Sequence, residues 1–508
     1  MASGGDVTRS EVAKGAGLAG LARLGAVIEA LAQPLFTWLF GLATYGLYVV
    51  LWGVVSFVSN LSDLAMTSAL QRVVPAAERE EQAHAAVKLA LLVAVLPTLL
   101  IAAAVTWQAE AIAGLFSAAP EDRQSLPQAI RIFIWALPLW TFVEVATSAA
   151  RARRAFGPEI RLRIFWEQIA RILFSLLFFA FGARTLGLML AHLCSLGLTA
   201  SLCVPLLARY FDLKLLLRAP ISRALAANLF LSGLALYPAS LARRLLIDAP
   251  PVVLNLLLPG TRGAVAAGLF EIARKISTIP LIVRQAFQYV MAPLSSAQAR
   301  SDRAAIAPLY RFASRVSTAL VIPLAGLLIF AGADILSVYR PEAAAALPLL
   351  VILAAARAGE AVVGPATSIV EMTGHRGLPL LNSLLGILLW AALTALLVPS
   401  LGPLGMAISV AAGTLLIAVA ATVELGFSDG LLPFDRKLFA ALGIALAGVA
   451  MMWTAQILIG GPPRFIAVLL LWALTSWVAL RFGLTRTDRE ALGGFARSVR
   501  LVPKSHSR

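Results

Sequence analysis

The stretch LPLLNSLLGILLWAALTALLVPSLGPLGMAISVAAGTLLIAVA, Leu378 to Ala420, carries no charged residue in 43 positions. Its Pro- and Gly-bearing centre, Pro399 to Gly405, divides it into two apolar segments. About 20 apolar residues cross a bilayer as a helix, so the stretch reads as two spans joined by a tight turn. The whole chain agrees with that reading. Of its 508 residues 60% are apolar and 13% charged, and the mean hydropathy is +0.87, a balance foreign to a water-soluble domain of this size.

Working outward, apolar segments bounded by charges or Gly/Pro turns fall near 18–40, 45–65, 87–107, 128–150, 164–182 and 185–207. Eight more lie near 225–258, 264–294, 315–338, 346–371, 377–398, 403–425, 437–459 and 464–482. The expected fold is therefore an all-α polytopic membrane protein of about fourteen transmembrane helices. The first apolar stretch carries Arg23 and Glu29, which an uncharged signal-peptide core would lack, so it is expected to remain as helix one.

The formal charge of +16 would suit nucleic acid, but its placement is topological. With the N-terminus in the cytoplasm, 28 of the 42 basic residues lie inside, and only Arg123, Arg184, Arg262, Arg340 and Arg464 lie outside. That asymmetry predicts an even number of spans, both termini in the cytoplasm of a bacterial inner membrane, and no nucleic-acid partner. It also accounts for the basic tail at 483–508.

Phe40 to Val50, FGLATYGLYVV, and Leu258 to Lys275, LPGTRGAVAAGLFEIARK, share a Gly, a turn and a Gly-Leu-aromatic run, six helices apart. Such a repeat fits a parallel duplication of six-helix units. The expected organisation is an N-lobe at 1–207, a cytoplasmic interfacial connector at 208–223 and a C-lobe at 224–425. Two further helices follow at 426–482, then the tail. In the connector, Tyr210, Phe211 and Leu213 stand among basic residues, as in a helix lying in the membrane interface.

Cys194 and Cys203 are nine residues apart on one expected helix, about 13.5 Å along its axis, too far to bridge. His84, His192, His375 and His506 are scattered, so no metal and no cofactor is expected. Function must then be sought among ionisable residues inside the spans, where charge is costly and faces a partner or a cavity. Helical spacing pairs Glu167 with Arg171, Arg244 with Asp248, Glu271 with Lys275 and Arg357 with Glu360. Left without an exclusive local partner are Arg23, Glu29, Glu144, Arg243, Arg274 and Arg284. Arginine binds phosphate oxygens bidentately and keeps its charge when buried. Arg23, Arg274, Arg284 and Arg243 are thus candidate contacts to a phosphate or pyrophosphate, and Glu29, Glu144 and Glu360 are candidates for ion coupling. Pro238, Pro250, Pro251, Pro280 and Pro293 predict bends in helices seven and eight.

Phe40 to Val74, with its Gly-x-x-x-Tyr-Gly-Leu-Tyr start and Ala-Leu-Gln-Arg end, resembles helix two of polysaccharide flippases. Gly364 to Leu416 is similar to that family's paired helices around a Thr-Gly turn, an Asn-led helix and a Pro-x-x-Gly-x-x-Gly hairpin. The chain thus resembles the oligosaccharide flippase branch of the MOP exporter superfamily, over nearly its whole length. The resemblance implies a bilobed transporter, helices one to six against seven to twelve. Such a protein moves an undecaprenyl-pyrophosphate-linked saccharide between leaflets by alternating access, in the assembly of lipopolysaccharide or another surface polysaccharide. Its implied partners are that lipid-linked saccharide, membrane lipids and polysaccharide assembly proteins. In related peptidoglycan-precursor flippases, basic residues on helices one and eight line the cavity, the helices that carry Arg23 and Arg274 here.

Three rivals are set against this. A membrane glycosyltransferase, polymerase or ligase would carry catalytic acids on a large outer loop, but the longest outer loop expected, 108–127, offers only Glu110, Glu121 and Asp122. A multidrug exporter of the MATE type would favour acidic and aromatic groups for cationic drugs. A scaffold without transport activity leaves no residue signature.

Overall fold

The computed structural model describes residues 28, 31–155, 157, 160–234, 237–282, 306–372, 377–492 and 498–501. Among the described residues helices alone form the regular structure, and the chain divides into two compact units, Met1–Gly268 and Leu269–Arg508. Ten helices among the described residues are long and apolar enough to cross a membrane.

In the first unit the order is α1 (Leu31–Phe40), α2 (Leu42–Asp63), α3 (Met66–Val73), α4 (Glu80–Trp107), α5 (Leu126–Phe133) and α6 (Ala136–Ala152). A π-helical stretch, Ile160–Trp166, leads into α7 (Glu167–Ala180), and α8 (Thr185–Tyr210) follows. Next come α9 (Leu213–Arg218), α10 (Arg223–Leu234), α11 (Tyr237–Leu257) and α12 (Thr261–Ser277), whose residues from Leu269 on belong to the second unit. Helix α2 is the hub and packs against α4, α6 and α11. The floor of this bundle is apolar, with Met66, Leu70, Val87, Val143, Ala146 and Leu229 all fully buried. Aliphatic surface removed from contact in this way contributes packing, and polar groups within it must find internal partners.

The second unit runs α13 (Ala307–Phe330), α14 (Leu347–Val363), α15 (Ala366–Met372), α16 (Leu378–Leu401), α17 (Pro403–Asp429), α18 (Arg436–Leu458), α19 (Pro462–Gly483) and α20 (Arg486–Ala491). The α16–α17 hairpin is the stretch quoted at the outset. Its turn is Gly402, at φ 57°, a conformation that glycine adopts without strain, and Pro403 then starts α17 where its missing N–H costs nothing. Helix α13 is central here, packed on α14, α18 and α19.

Within the four remaining expected spans the described residues form α1, α7, the α10–α11 run and α12. Helix α11 carries three charges, Arg243, Arg244 and Asp248, and α12, with Glu271, Arg274 and Lys275, runs only 17 residues, so neither is among the ten. The connector forms α9, whose N-cap Asp212 accepts hydrogen bonds from the Lys214 and Leu215 amides at 2.8 and 3.3 Å. These hold the Asp212 carboxyl below the usual carboxylate range. Leu216 is buried and Leu217 points out, and Lys88 Nζ donates to the carbonyls of Leu217 and Ala219 at 2.7 and 3.3 Å. The start of the tail is also docked. A capping box joins Thr485 and Asp488, and Leu501 is fully buried beside Val316 and Leu480.

Candidate functional site

Helix α2 ends at Asp63, and the chain turns into α3 through Leu64 and Ala65, at φ 47° and 57°. Two successive non-glycine residues in the left-handed region are strained by roughly 1–3 kcal/mol each, and such strain concentrates at functional sites. Asp63 spans the break. Its carboxylate accepts from the Thr67 amide at 3.3 Å and from Thr67 Oγ1 at 2.8 Å. Ser148 of α6 donates to the Thr67 carbonyl at 2.5 Å and ties α3 to α6.

Beside this break lies a cavity of about 200 Å³, lined by Asn60, Asp63, Ala65, Thr67, Ser68, Glu144, Arg151, Arg163, Tyr237, Leu241 and Arg244. Five of the eleven residues are ionisable carboxylates or guanidiniums. Glu144, expected to stand without a local partner, is ion-paired with Arg163 at 2.9 Å. The Arg163 guanidinium also lies 4.2 Å from the centre of the Trp140 ring. Arg163 reads as a loop cation in the sequence, and the π-helical entry to α7 turns it inward. Asp63 and Arg244 are different. Neither has an ion-pair partner within 4 Å among the described residues, although Asp63 is buried and Arg244 half-buried. Asp248, the expected partner of Arg244, instead accepts from Ser56 Oγ at 3.1 Å.

Higher in the same unit a second polar network is wholly buried. Arg171 pairs with Glu167 at 2.6 Å and donates to Tyr48 Oη at 3.0 Å, and Tyr48 Oη lies 2.9 Å from His192 Nδ1. His192 Nε2 stands 3.7 Å from Glu167. With Arg171 donating to the phenol oxygen, the phenol proton is available to His192 Nδ1, which places the imidazole proton on Nε2, towards Glu167. The Glu167–Arg171 spacing was legible; Tyr48 and His192 were not, because they come from helices far apart in sequence.

The other candidate residues are distributed as follows. Arg274 is held by Glu271, at 2.8 and 2.6 Å, so Glu271 takes the i+3 arginine rather than the i+4 lysine. Glu360 is ion-paired with Arg357 at 2.6 Å, as the spacing predicted. Arg23, Glu29 and Arg284 lie outside the described residues, as does the Arg243 side chain. Among the described residues no group of His, Cys, Asp and Glu is placed to hold a metal ion.

No family model matches the chain, and no curated protein does. Solved structures do match. The lipid II flippase MurJ, in an inward closed conformation, superposes with a TM-score of 0.71 at 13% identity, over 91% of this chain and 97% of that one. A multidrug resistance MATE family transporter of the MOP superfamily, inward-facing, gives 0.62 at 15% identity, over 80% and 92%. A MOP superfamily transporter from Pyrococcus furiosus, described by the reversed polarity of its binding pocket, gives 0.58 at 14%, over 80% and 93%. The chain is thus a multi-pass membrane protein with the fold of the MOP superfamily transporters.

Proposed function

We propose that the chain is a flippase. It moves a polyprenyl-pyrophosphate-linked oligosaccharide from the cytoplasmic to the periplasmic leaflet of the inner membrane, by alternating access, for the assembly of cell-surface polysaccharide or lipopolysaccharide. The observation that carries the reading is the full-length likeness to a lipid II flippase, which extends through 97% of that protein. The surplus of arginine over acid in the spans supports it, since an oxyanion headgroup is what such cations recognise. In this reading the two six-helix lobes at 1–207 and 224–425 rock about the substrate, with 426–482 as an accessory pair and both termini cytoplasmic.

Arg23, Arg243, Arg274 and Arg284 are the proposed headgroup contacts, with Glu29, Glu144 and Glu360 as proposed coupling acids. Arg274 must then share Glu271 with the substrate, and Glu144 must part from Arg163 to bind a proton.

Depletion of the protein tests the reading, with a periplasm-accessible lectin reporting undecaprenyl-linked saccharide. Inner-leaflet intermediates should accumulate and outer ones vanish. Normal crossing with loss of polymer or linkage would transfer the role to a glycosyltransferase, polymerase or ligase, and efflux of organic cations to a MATE-type exporter.

A further inference from the structure

The cavity at the α2–α3 break holds two opposite charges, Asp63 and Arg244, that form no direct ion pair. Asp63 is 7% exposed, and Thr67 supplies its hydrogen bonds without neutralising its charge. Arg244, on α11, contributes a guanidinium to the same cavity with no carboxylate bound to it among the described residues. A buried charge left unpaired is costly, and the cavity has far more room than one water requires.

We propose that this cavity is a proton-linked oxyanion site, in which Arg244 anchors a phosphate-like group and Asp63 takes up a proton as the anion enters. The chemistry follows from the lining. Arg244 offers a fork of N–H donors that matches two oxygens of a phosphate or sulfate. Ser68 and the second amide proton of Asn60 add neutral donors around it, while Thr67 Oγ1 and Tyr237 Oη already donate to Asp63 and to the Leu61 carbonyl. The charged or titratable groups facing Asp63 are Glu144 and Arg151 from α6, Arg163 from the π-helical stretch, and Tyr237 and Arg244 from α11. No charged residue of α3, α4 or α10 lines the cavity among the described residues. Glu144 is already ion-paired with Arg163 at 2.9 Å. Asp63 has no such ion pair, so an anion that enters facing both carboxylates raises the proton affinity of Asp63 first. The bond formed is O–H on one Asp63 oxygen, with the proton supplied by hydronium from bulk solvent, which leaves as water. Thr67 keeps its hydrogen bond to the other oxygen. By linkage, anion affinity rises as pH falls.

The chemistry is shared by a free inorganic anion and by the diphosphate of a lipid. Assigning the lipid rests on the flippase reading; the proton linkage does not. The purified full-length protein is titrated with sodium sulfate, a dianion throughout mildly acidic to neutral pH, and binding is read by thermal stabilisation. Sulfate should bind more tightly at acidic pH, by up to about tenfold per pH unit for one linked proton. Asp63→Asn should bind tightly at neutral pH and lose the slope. Arg244→Gln should bind at least about tenfold more weakly at every pH, a loss of one charge-assisted contact. Arg244→Lys, which keeps the charge, should recover part of it, and all variants are first matched for stability without sulfate.

Equal sulfate affinity at both pH values in the unaltered protein would overturn the proposal. So would a slope retained in Asp63→Asn and lost in Glu144→Gln, which moves the proton to Glu144. A second arm adds an isoprenyl diphosphate in detergent. Competition with sulfate identifies a lipid headgroup site, and competition by inorganic pyrophosphate alone identifies a site for free anion. If the leaflet assay fails while the sulfate linkage holds, the site stands and the flippase reading falls.

Discussion

Gly46 and Gly268, the glycines of the repeated Gly-Leu-aromatic element, meet each other. A Cβ built on Gly268 would stand 3.3 Å from the Gly46 Cα. A Cβ on Gly46 would stand 1.8 Å from the Ala264 carbonyl oxygen and 2.9 Å from the Gly268 nitrogen. The repeat therefore does more than mark a duplication. It supplies the small residues that let α2 and α12 approach backbone to backbone, as helices in lipid commonly do.

The two contacts are unequal, and so should be their variants. Gly46→Ala places a methyl against backbone that cannot yield, so the helices must separate, at roughly 3 kcal/mol or more. Gly268→Ala meets its neighbours at 3.1–3.3 Å and should cost much less. Thermal stability of the detergent-solubilised protein, followed by size exclusion, should rank unaltered, Gly268→Ala, Gly46→Ala. Equal losses would contradict the geometry.

Ala65 sits at φ 57° on the cavity wall. Glycine adopts that conformation without the Cβ penalty, and Ala65→Gly should stabilise the fold by about 1 kcal/mol. The relief also frees the α2–α3 break, so Thr67 amide exchange should quicken in the variant even as the melting temperature rises. A lower melting temperature would show that the strain at this position is not felt.

Arg315 Nη1 lies 2.5 Å from Asp488, and Nη2 lies 3.3 Å from Asp435, with the arginine 6% exposed. One guanidinium thus joins α13, the start of α18 and the capping box of α20. Removing a partner from a buried pair leaves an uncompensated charge, so Arg315→Ala should cost about 3–5 kcal/mol. Arg315→Lys should recover only part of it, since an ammonium cannot serve two carboxylates in a planar fork. Protease protection of the segment around Leu501 is the site-specific readout.

Asp122, between α4 and α5, is 1% exposed and accepts from Thr44 at 3.0 and 3.2 Å and from Thr185 at 2.6 Å. Burial pushes its carboxyl above the usual range, and the two threonines partly counter this. A raised native value means that the folded state holds the proton more tightly. Its contribution is full below the ordinary aspartate range and is lost as pH rises through the raised value. Asp122→Asn never ionises, so its melting temperature relative to the unaltered protein should climb with pH across that acidic window. A difference that stays flat or falls would reverse the sign assigned to burial.

What the sequence determined by itself was the class of fold and the approximate place of most spans. Apolar runs of bilayer length, cut by Pro399 to Gly405 and by charge, are one-dimensional facts, because lipid demands that every helix satisfy its own backbone. The pairs Glu167–Arg171 and Arg357–Glu360 were legible for the same reason, since one helical turn brings them together. Only the tertiary structure decided that Glu144 takes Arg163, that Tyr48 bridges Arg171 and His192, and that Asp248 turns to Ser56 and leaves Arg244 to the cavity. Those choices depend on the rotation and crossing of helices up to 192 positions apart. A charge inside a membrane announces that it needs a partner, and only packing names which one.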